Sequence, residues 1–155
     1  MFTIVITSGY FVWLHQGHIE LFKKARKLGD ALVVILNNDK QQKLKYGKVI
    51  VPFEQRKKVL KSIKWIDGVI ESGDQDRTVV KSIEDAHEKF CMERDDSGAM
   101  GKLKEMIFAK GGDRFKNEIP EKEICDKLRI KIIDGLGEKI QSTSNLIKNA
   151  TISNP

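Results

Sequence analysis

The stretch Thr3-Ile4-Val5-Ile6-Thr7-Ser8-Gly9-Tyr10-Phe11-Val12-Trp13-Leu14-His15-Gln16-Gly17-His18 decides the fold. Thr3 to Thr7 is a β-branched run and reads as a buried strand, which Gly9 breaks. From His18 to Leu28, the residues Ile19, Leu21, Phe22, Ala25 and Leu28 recur at helical spacing beneath a basic outer face. Gly29-Asp30 ends that helix. Ala31 to Leu36 is a second buried strand, closed by a turn at Asn37-Asn38-Asp39. Strand, helix and strand within about forty residues make a βαβ unit, and its strands must be parallel.

The alternation then repeats. Helices are expected over Phe53–Ile63, Thr78–Phe90, Glu121–Leu128 (behind Pro120) and Ser144–Asn149, with strands at Gly68–Glu71, Met106–Ala109 and Ile130–Ile133. This predicts an α/β, Rossmann-like, doubly wound sheet of about five parallel strands. A chain of 155 residues fits one domain with one core, here residues 1–150, followed by a frayed tail at 151–155. Glu93 to Gly101 reads as an exposed loop. Ligands of such sheets bind beyond the carboxyl ends of the strands. Chemistry is therefore expected after Thr7, Leu36, Ala109 and Ile133.

Composition narrows the class without naming a partner. Hydrophobic residues make up 40% and charged residues 32%, as in ordinary soluble domains. The apolar start is short and lacks a basic lead, so no signal peptide is expected, and no run approaches a membrane span. Two distant cysteines, Cys91 and Cys125, suggest neither a disulfide framework nor a zinc site, which points to the cytoplasm. The net charge of +6 is spread among interleaved acids, as solvated helix faces are. His87 and Asp95-Asp96 read as surface features, and Trp65 as core.

Each of the four strand ends carries unusual residues. His15 and His18, two of the three histidines, flank Gly17 at the mouth of the first helix. A helix amino end favours phosphate, and glycine permits close approach by backbone or ligand. Two imidazoles there can donate to phosphate oxygens whose charge grows during nucleotidyl transfer. The alternative is structural: one histidine caps the helix and the other packs. After the second strand, Lys43, Lys45 and Lys48 precede Glu54-Gln55-Arg56; a lysine can cover phosphate as a mobile point charge, or all three are solvated loop residues. After the fourth, Lys110-Gly111-Gly112-Asp113-Arg114 is a tight turn in which Asp113 can accept from ribose or base. After the fifth, Gly135-Leu136-Gly137 suggests a dinucleotide fingerprint, but Ile140 holds the third glycine's place. Ser142-Thr143-Ser144 offers hydroxyls at a helix start, suited to phosphate or to simple capping.

Taken together, Gly9-x-Phe11-x-x-x-His15-x-Gly17-His18 resembles the signature of the cytidylyltransferase-like nucleotidyltransferases, among them glycerol-3-phosphate cytidylyltransferase and heptose-1-phosphate adenylyltransferase. The other three segments match in order, so the resemblance runs from about Thr3 to Asn149. It implies that His15, His18 and Lys45 (Lys43 being the rival) are catalytic, the histidines stabilising the α-phosphate during in-line attack without a covalent intermediate. It implies nucleotide binding by Ser8, Gly9, Tyr10, Phe11, Gly17, Gly111, Gly112, Asp113, Arg114, Gln141, Ser142, Thr143 and Ser144. Asp39 and Arg56 would face the acceptor, Mg²⁺ would arrive with the triphosphate, and a homodimer is expected. Three departures stand out: Val12 replaces a common Asp, Arg114 a Tyr, and Gly137 an Arg whose charge Lys139 could supply.

The expected activity is transfer of a nucleoside monophosphate from ATP or CTP to a small phosphorylated acceptor, such as a sugar or polyol phosphate, with release of pyrophosphate. A non-catalytic nucleotide sensor of the same fold is the alternative that Val12 and Gly137 suggest. A nucleic-acid-binding module would need a concentrated basic face with interleaved aromatics, and the sequence has neither. A class I aminoacyl-tRNA synthetase shares His-x-Gly-His but needs a longer chain and a Lys-Met-Ser-Lys-Ser-like loop.

Overall fold

The computed structural model describes residues 1–92, 102–111 and 119–137. Its elements in chain order are strand β1 (Phe2–Gly9), helix α1 (Gln16–Arg26), β2 (Ala31–Leu36), α2 (Asp39–Tyr46), α3 (Phe53–Lys61), β3 (Gly68–Glu71), α4 (Val80–Met92), β4 (Leu103–Ala109), α5 (Lys122–Lys127) and β5 (Lys131–Ile133). The strands form one sheet in the order β3-β2-β1-β4-β5, with every neighbouring pair parallel. The chain leaves β1 toward β2 and β3, then returns across β1 to β4 and β5. Strand order reverses at β1, so a ligand crevice opens beyond its carboxyl end.

Alternation along the strands builds two cores, because successive side chains point to opposite faces. Val5, Leu32, Val34, Leu36, Ile107 and Ala109 meet Leu21, Phe22 and Ala25 of α1 and Phe53 and Leu60 of α3. Ile4, Ile6, Val33, Ile35, Met106 and Phe108 face the other way, onto Ile83 of α4 and Ile124 and Cys125 of α5. The Cys125 thiol is pushed up to about 12, first by burial and then by the charges of Glu121 and Asp126, so it stays protonated. No helix among the described residues is long and apolar enough to cross a membrane.

One element corrects the sequence reading. The stretch read as a turn and a lysine-bearing loop is helix α2, which starts at Asp39 and carries both Lys43 and Lys45. Its sequence, Asp-Lys-Gln-Gln-Lys-Leu-Lys-Tyr, has no apolar stripe, so periodicity could not reveal it. Polar groups hold it instead. Asn38 accepts from Gln41 N at 2.8 Å while the Gln41 carboxamide accepts from Asn38 N at 3.0 Å, a reciprocal capping box. Gln41 is fully buried and donates to Asp76 O and Thr78 O, each at 2.8 Å. Gln42, equally buried, clamps the following loop by accepting from Ile50 N and Val51 N and donating to Val51 O. The expected loop at Glu93–Gly101, the closing helix at Ser144–Asn149 and the tail lie outside the described residues.

Asn38 also donates to Ser72 O at 2.9 Å and Asp74 O at 3.1 Å, which joins the ends of β2 and β3. Replacing Asn38 by Ala should therefore lower stability by about 1–2 kcal/mol, the upper range for a lost N-cap. Urea unfolding of the variant measures this. A loss below a few tenths would show that neither the cap nor the bridge holds α2.

Candidate active site

The carboxyl end of β1 is pinned on both sides. Thr7 donates its hydroxyl to Ala109 O at 2.8 Å, tying it to β4, and Asn37 N donates to Gly9 O at 3.0 Å, tying it to β2. The chain then turns sharply through Phe11, whose φ of 47° is left-handed, a strained state for an aromatic residue. The Phe11 ring folds back over Gly9, where any Cβ would lie 2.7 Å from the ring. It also packs edge-on against His18 and Phe22, each with centroids 5.2 Å apart. Gly9 is thus a steric requirement of the Phe11 packing.

His15 is the N-cap of α1 and His18 its third residue. The His15 Nδ1 accepts from Gly17 N at 3.1 Å, and the His18 Nδ1 accepts from His15 N at 3.3 Å. Two imidazoles thus replace the usual hydroxyl and carboxylate of a capping box. Their rings lie nearly face to face, with centroids 3.9 Å apart and planes 30° apart. A nitrogen that accepts carries no proton, so each neutral ring holds its proton on Nε2, on the side away from the backbone. His18 is pushed down to about 4, chiefly by burial and further by the neighbouring His15. The result is a pair of neutral N–H donors fixed at the crevice. Gly17 N and His18 N are committed within this turn, to His15 Nδ1 and His15 O. The cap occupies the Nδ1 atoms, so it does not compete with a donor part for the Nε2 side of each ring.

Lys45 lies in the last turn of α2 with its ammonium 4.4 Å above the Tyr10 ring and 5.2 Å from that of Tyr46. Lys43, two residues earlier in the same helix, is also exposed. Arg56 is different in kind. Its side chain is 1% exposed, and it donates to Val51 O, Tyr10 O and Asn37 O and to the Asp39 carboxylate at 2.7–2.9 Å. Asp39 also accepts from Phe53 N at 2.9 Å, while its own side chain stays 42% exposed. Arg56 thus acts on the site by holding the carbonyls that frame it, a part the resemblance did not imply.

Ser8 and Tyr10 sit half-buried at the end of β1, and Gly111 just beyond β4 has open space where a side chain would be. Gly112, Asp113, Arg114, Gln141, Ser142, Thr143 and Ser144 lie outside the described residues, as does Lys139. Sequence reasoning missed Thr7, Asn38, Gln41 and Gln42. Only the Asn38-x-x-Gln41 spacing could have signalled a cap. Among the described residues, no group of three or more His, Cys, Asp or Glu side chains comes together to cage a metal.

The family model described as cytidylyltransferase-like matches residues 6–147. This chain belongs to the cytidylyltransferase-like nucleotidyltransferase family. Among similar members, glycerol-3-phosphate cytidylyltransferase of Bacillus subtilis is 36% identical over 65% of this chain and 78% of that one. The enzyme of the same name from Staphylococcus aureus is 47% identical, but over 43% of this chain and only half of its own length. FAD synthase of Archaeoglobus profundus is 29% identical over 94% of this chain and 96% of that one. A solved structure, the lipopolysaccharide core biosynthesis protein of Thermoplasma volcanium, superposes with a TM-score of 0.64 at 24% identity, covering 90% of this chain and all of that one. That last likeness shows a shared fold.

Two expectations follow. Unfolded histidine takes up a proton near pH 6.5, whereas folded His18 does so only near 4. Between those values the unfolded state binds more protons, so stability should fall as pH drops from about 6.5 toward 4 and be level above. His18→Gln keeps a capping side chain but cannot titrate. Wild type minus variant unfolding free energies should show this slope, at most about 1.4 kcal/mol per pH unit; parallel pH curves would remove the buried neutral imidazole. Arg56→Ala should cost about 1–3 kcal/mol in urea unfolding, because it leaves the buried Asn37 carbonyl and two partly buried ones without this donor. Arg56→Lys should recover little of it, since an ammonium cannot span the fork. A small loss in Arg56→Ala would return this residue to a purely ligand-facing part.

Proposed function

We propose that this protein transfers a nucleoside monophosphate from a magnesium-bound nucleoside triphosphate to the phosphate of a small acceptor. An acceptor oxygen attacks the α-phosphorus. The bond to the bridging β-phosphate oxygen breaks, and pyrophosphate leaves with that electron pair. One observation carries the reading: the reciprocal cap holds two Nε2–H donors side by side beyond the end of the central strand. Donors fixed in this way can meet the α-phosphate oxygens as their charge grows, with no reorganisation at the moment of reaction. They need not transfer a proton, which suits a ring whose protonation lies far below neutrality.

Lys45 supplies the mobile cation. Cation–π contact at an exposed site is worth only about 0.5–1 kcal/mol, so a phosphate can draw the ammonium off Tyr10. Arg56 keeps the Tyr10 and Asn37 carbonyls in place beneath it. Mg²⁺ enters on the triphosphate as part of the substrate. The relatives divide between the names glycerol-3-phosphate cytidylyltransferase and FAD synthase. The informative screen is therefore pyrophosphate release from ATP or CTP with glycerol 3-phosphate, sugar phosphates and flavin mononucleotide. Triphosphate binding without turnover on any acceptor would favour the sensor instead.

His15→Ala and His18→Ala should each lower kcat by about 10²–10³, the effect of removing one donor to a developing charge, while triphosphate affinity changes little. Steady-state kinetics with the acceptor that wins the screen gives kcat and KM, and calorimetry gives triphosphate affinity. A folded His18→Ala protein with unchanged kcat would end this mechanism.

A further inference from the structure

Gly137 stands where the family resemblance led us to expect an arginine, and the structure shows what stands in the way of any side chain. The residue is buried at the end of the segment leaving β5. A Cβ built on it would lie 2.8 Å from the Gly17 carbonyl oxygen and 3.6 Å from the Leu21 Cβ. Its φ is open to any residue, so the demand is for space alone. The obstacle is backbone in the first turn of α1, which cannot swing aside as a flexible side chain would.

The Gly17 carbonyl shares its peptide plane with the N–H of His18, which donates to His15 O at 3.0 Å. The preceding peptide carries the Gly17 N–H that fixes the His15 imidazole. Pressure on the Gly17 oxygen is therefore pressure on both histidines. From the other side, the segment is anchored to the sheet. Leu136 N donates to Lys110 O at 3.3 Å, Lys110 N to Ile133 O at 2.7 Å, and the Leu136 side chain packs on the core beneath α1.

We propose that Gly137 is a positioning residue: its missing side chain lets the chain leaving β5 abut the Gly17–His18 peptide and hold both imidazoles in register with β4 and β5. This inference rests on the nucleotidyl-transfer reading of the histidine pair. It accounts for the departure from arginine as a packing constraint, with backbone contact in place of a guanidinium.

The test is Gly137→Ala, with Gly68→Ala as control, since a methyl there meets only Val33 at 3.8 Å. In Gly137→Ala, a misplaced donor pair should lower kcat by about ten- to a hundredfold. The NMR titration midpoint of the His18 ring should rise from about 4 toward its ordinary value as the turn loosens. Gly68→Ala should change neither. A folded Gly137→Ala protein with wild-type kcat and an unmoved His18 midpoint would overturn the proposal. So would lower stability with a normal midpoint and normal turnover in the folded fraction, the mark of a merely structural glycine. Should the variant not fold, wild-type hydrogen exchange decides: the His18 amide should be protected like the helix interior, and free exchange there refutes the clamp. If His18→Ala abolishes turnover while Gly137→Ala changes nothing, this inference fails alone. If His18→Ala is fully active, the functional reading fails with it.

Discussion

The reciprocal hydrogen bonds between two imidazoles and the first turn of α1 fix position, tautomer and protonation at once. Because each Nδ1 accepts from backbone, each ring is held in one orientation with its proton on the far nitrogen. Because His18 is buried against Phe11 and beside His15, a charge on its ring is disfavoured. Much of the surrounding structure serves to hold this turn still. The Thr7–Ala109 and Asn37–Gly9 bonds fix where β1 ends, and the strained Phe11 supports His18 from below. Strain of this kind persists only where its surroundings over-determine it.

Two cations near the crevice divide the electrostatic work. The Arg56 guanidinium is withdrawn from solvent and matched to three carbonyls and a carboxylate, which suits a planar, permanently charged fork. Lys45 remains exposed, resting on aromatic faces that attract it weakly. One charge is built into the framework at the end of β1 and the other lies at the surface. Exchanging the two residue types would satisfy neither position.

How far the sequence could be read depended on what holds each part together. β2 falls where its apolar run placed it, since burial on two faces leaves a direct mark in residue type, and the shorter edge strand β3 also lies where it was expected. Helix α2 left no such mark, because it is secured by Gln41 and Gln42 reaching backbone groups far along the chain. The histidine pair was visible as a constellation; the structure shows both rings capping the helix, an arrangement compatible with the donor reading. The family signature gave Arg56 a place but not its environment. Its partners are mostly main-chain carbonyls, which any residue supplies and no pattern encodes. Gly137 read as an absence of charge, and only the path of the backbone shows it as contact.

The position of Arg56 in the chain also orders the assembly of the site during synthesis. All of its partners, at Tyr10, Asn37, Asp39 and Val51, precede it. Those bonds can form once α3 has left the ribosome, although α2 still waits for Asp76 and Thr78 to secure Gln41. The Gly17–Gly137 contact is of the opposite sort, joining the first helix to a segment beyond the last described strand. The Arg56 cluster is therefore local in the chain, whereas the histidine turn is braced from a distance. A chain stopped before Gly137 would keep the Arg56 bonds and lose the backbone contact that abuts the Gly17–His18 peptide.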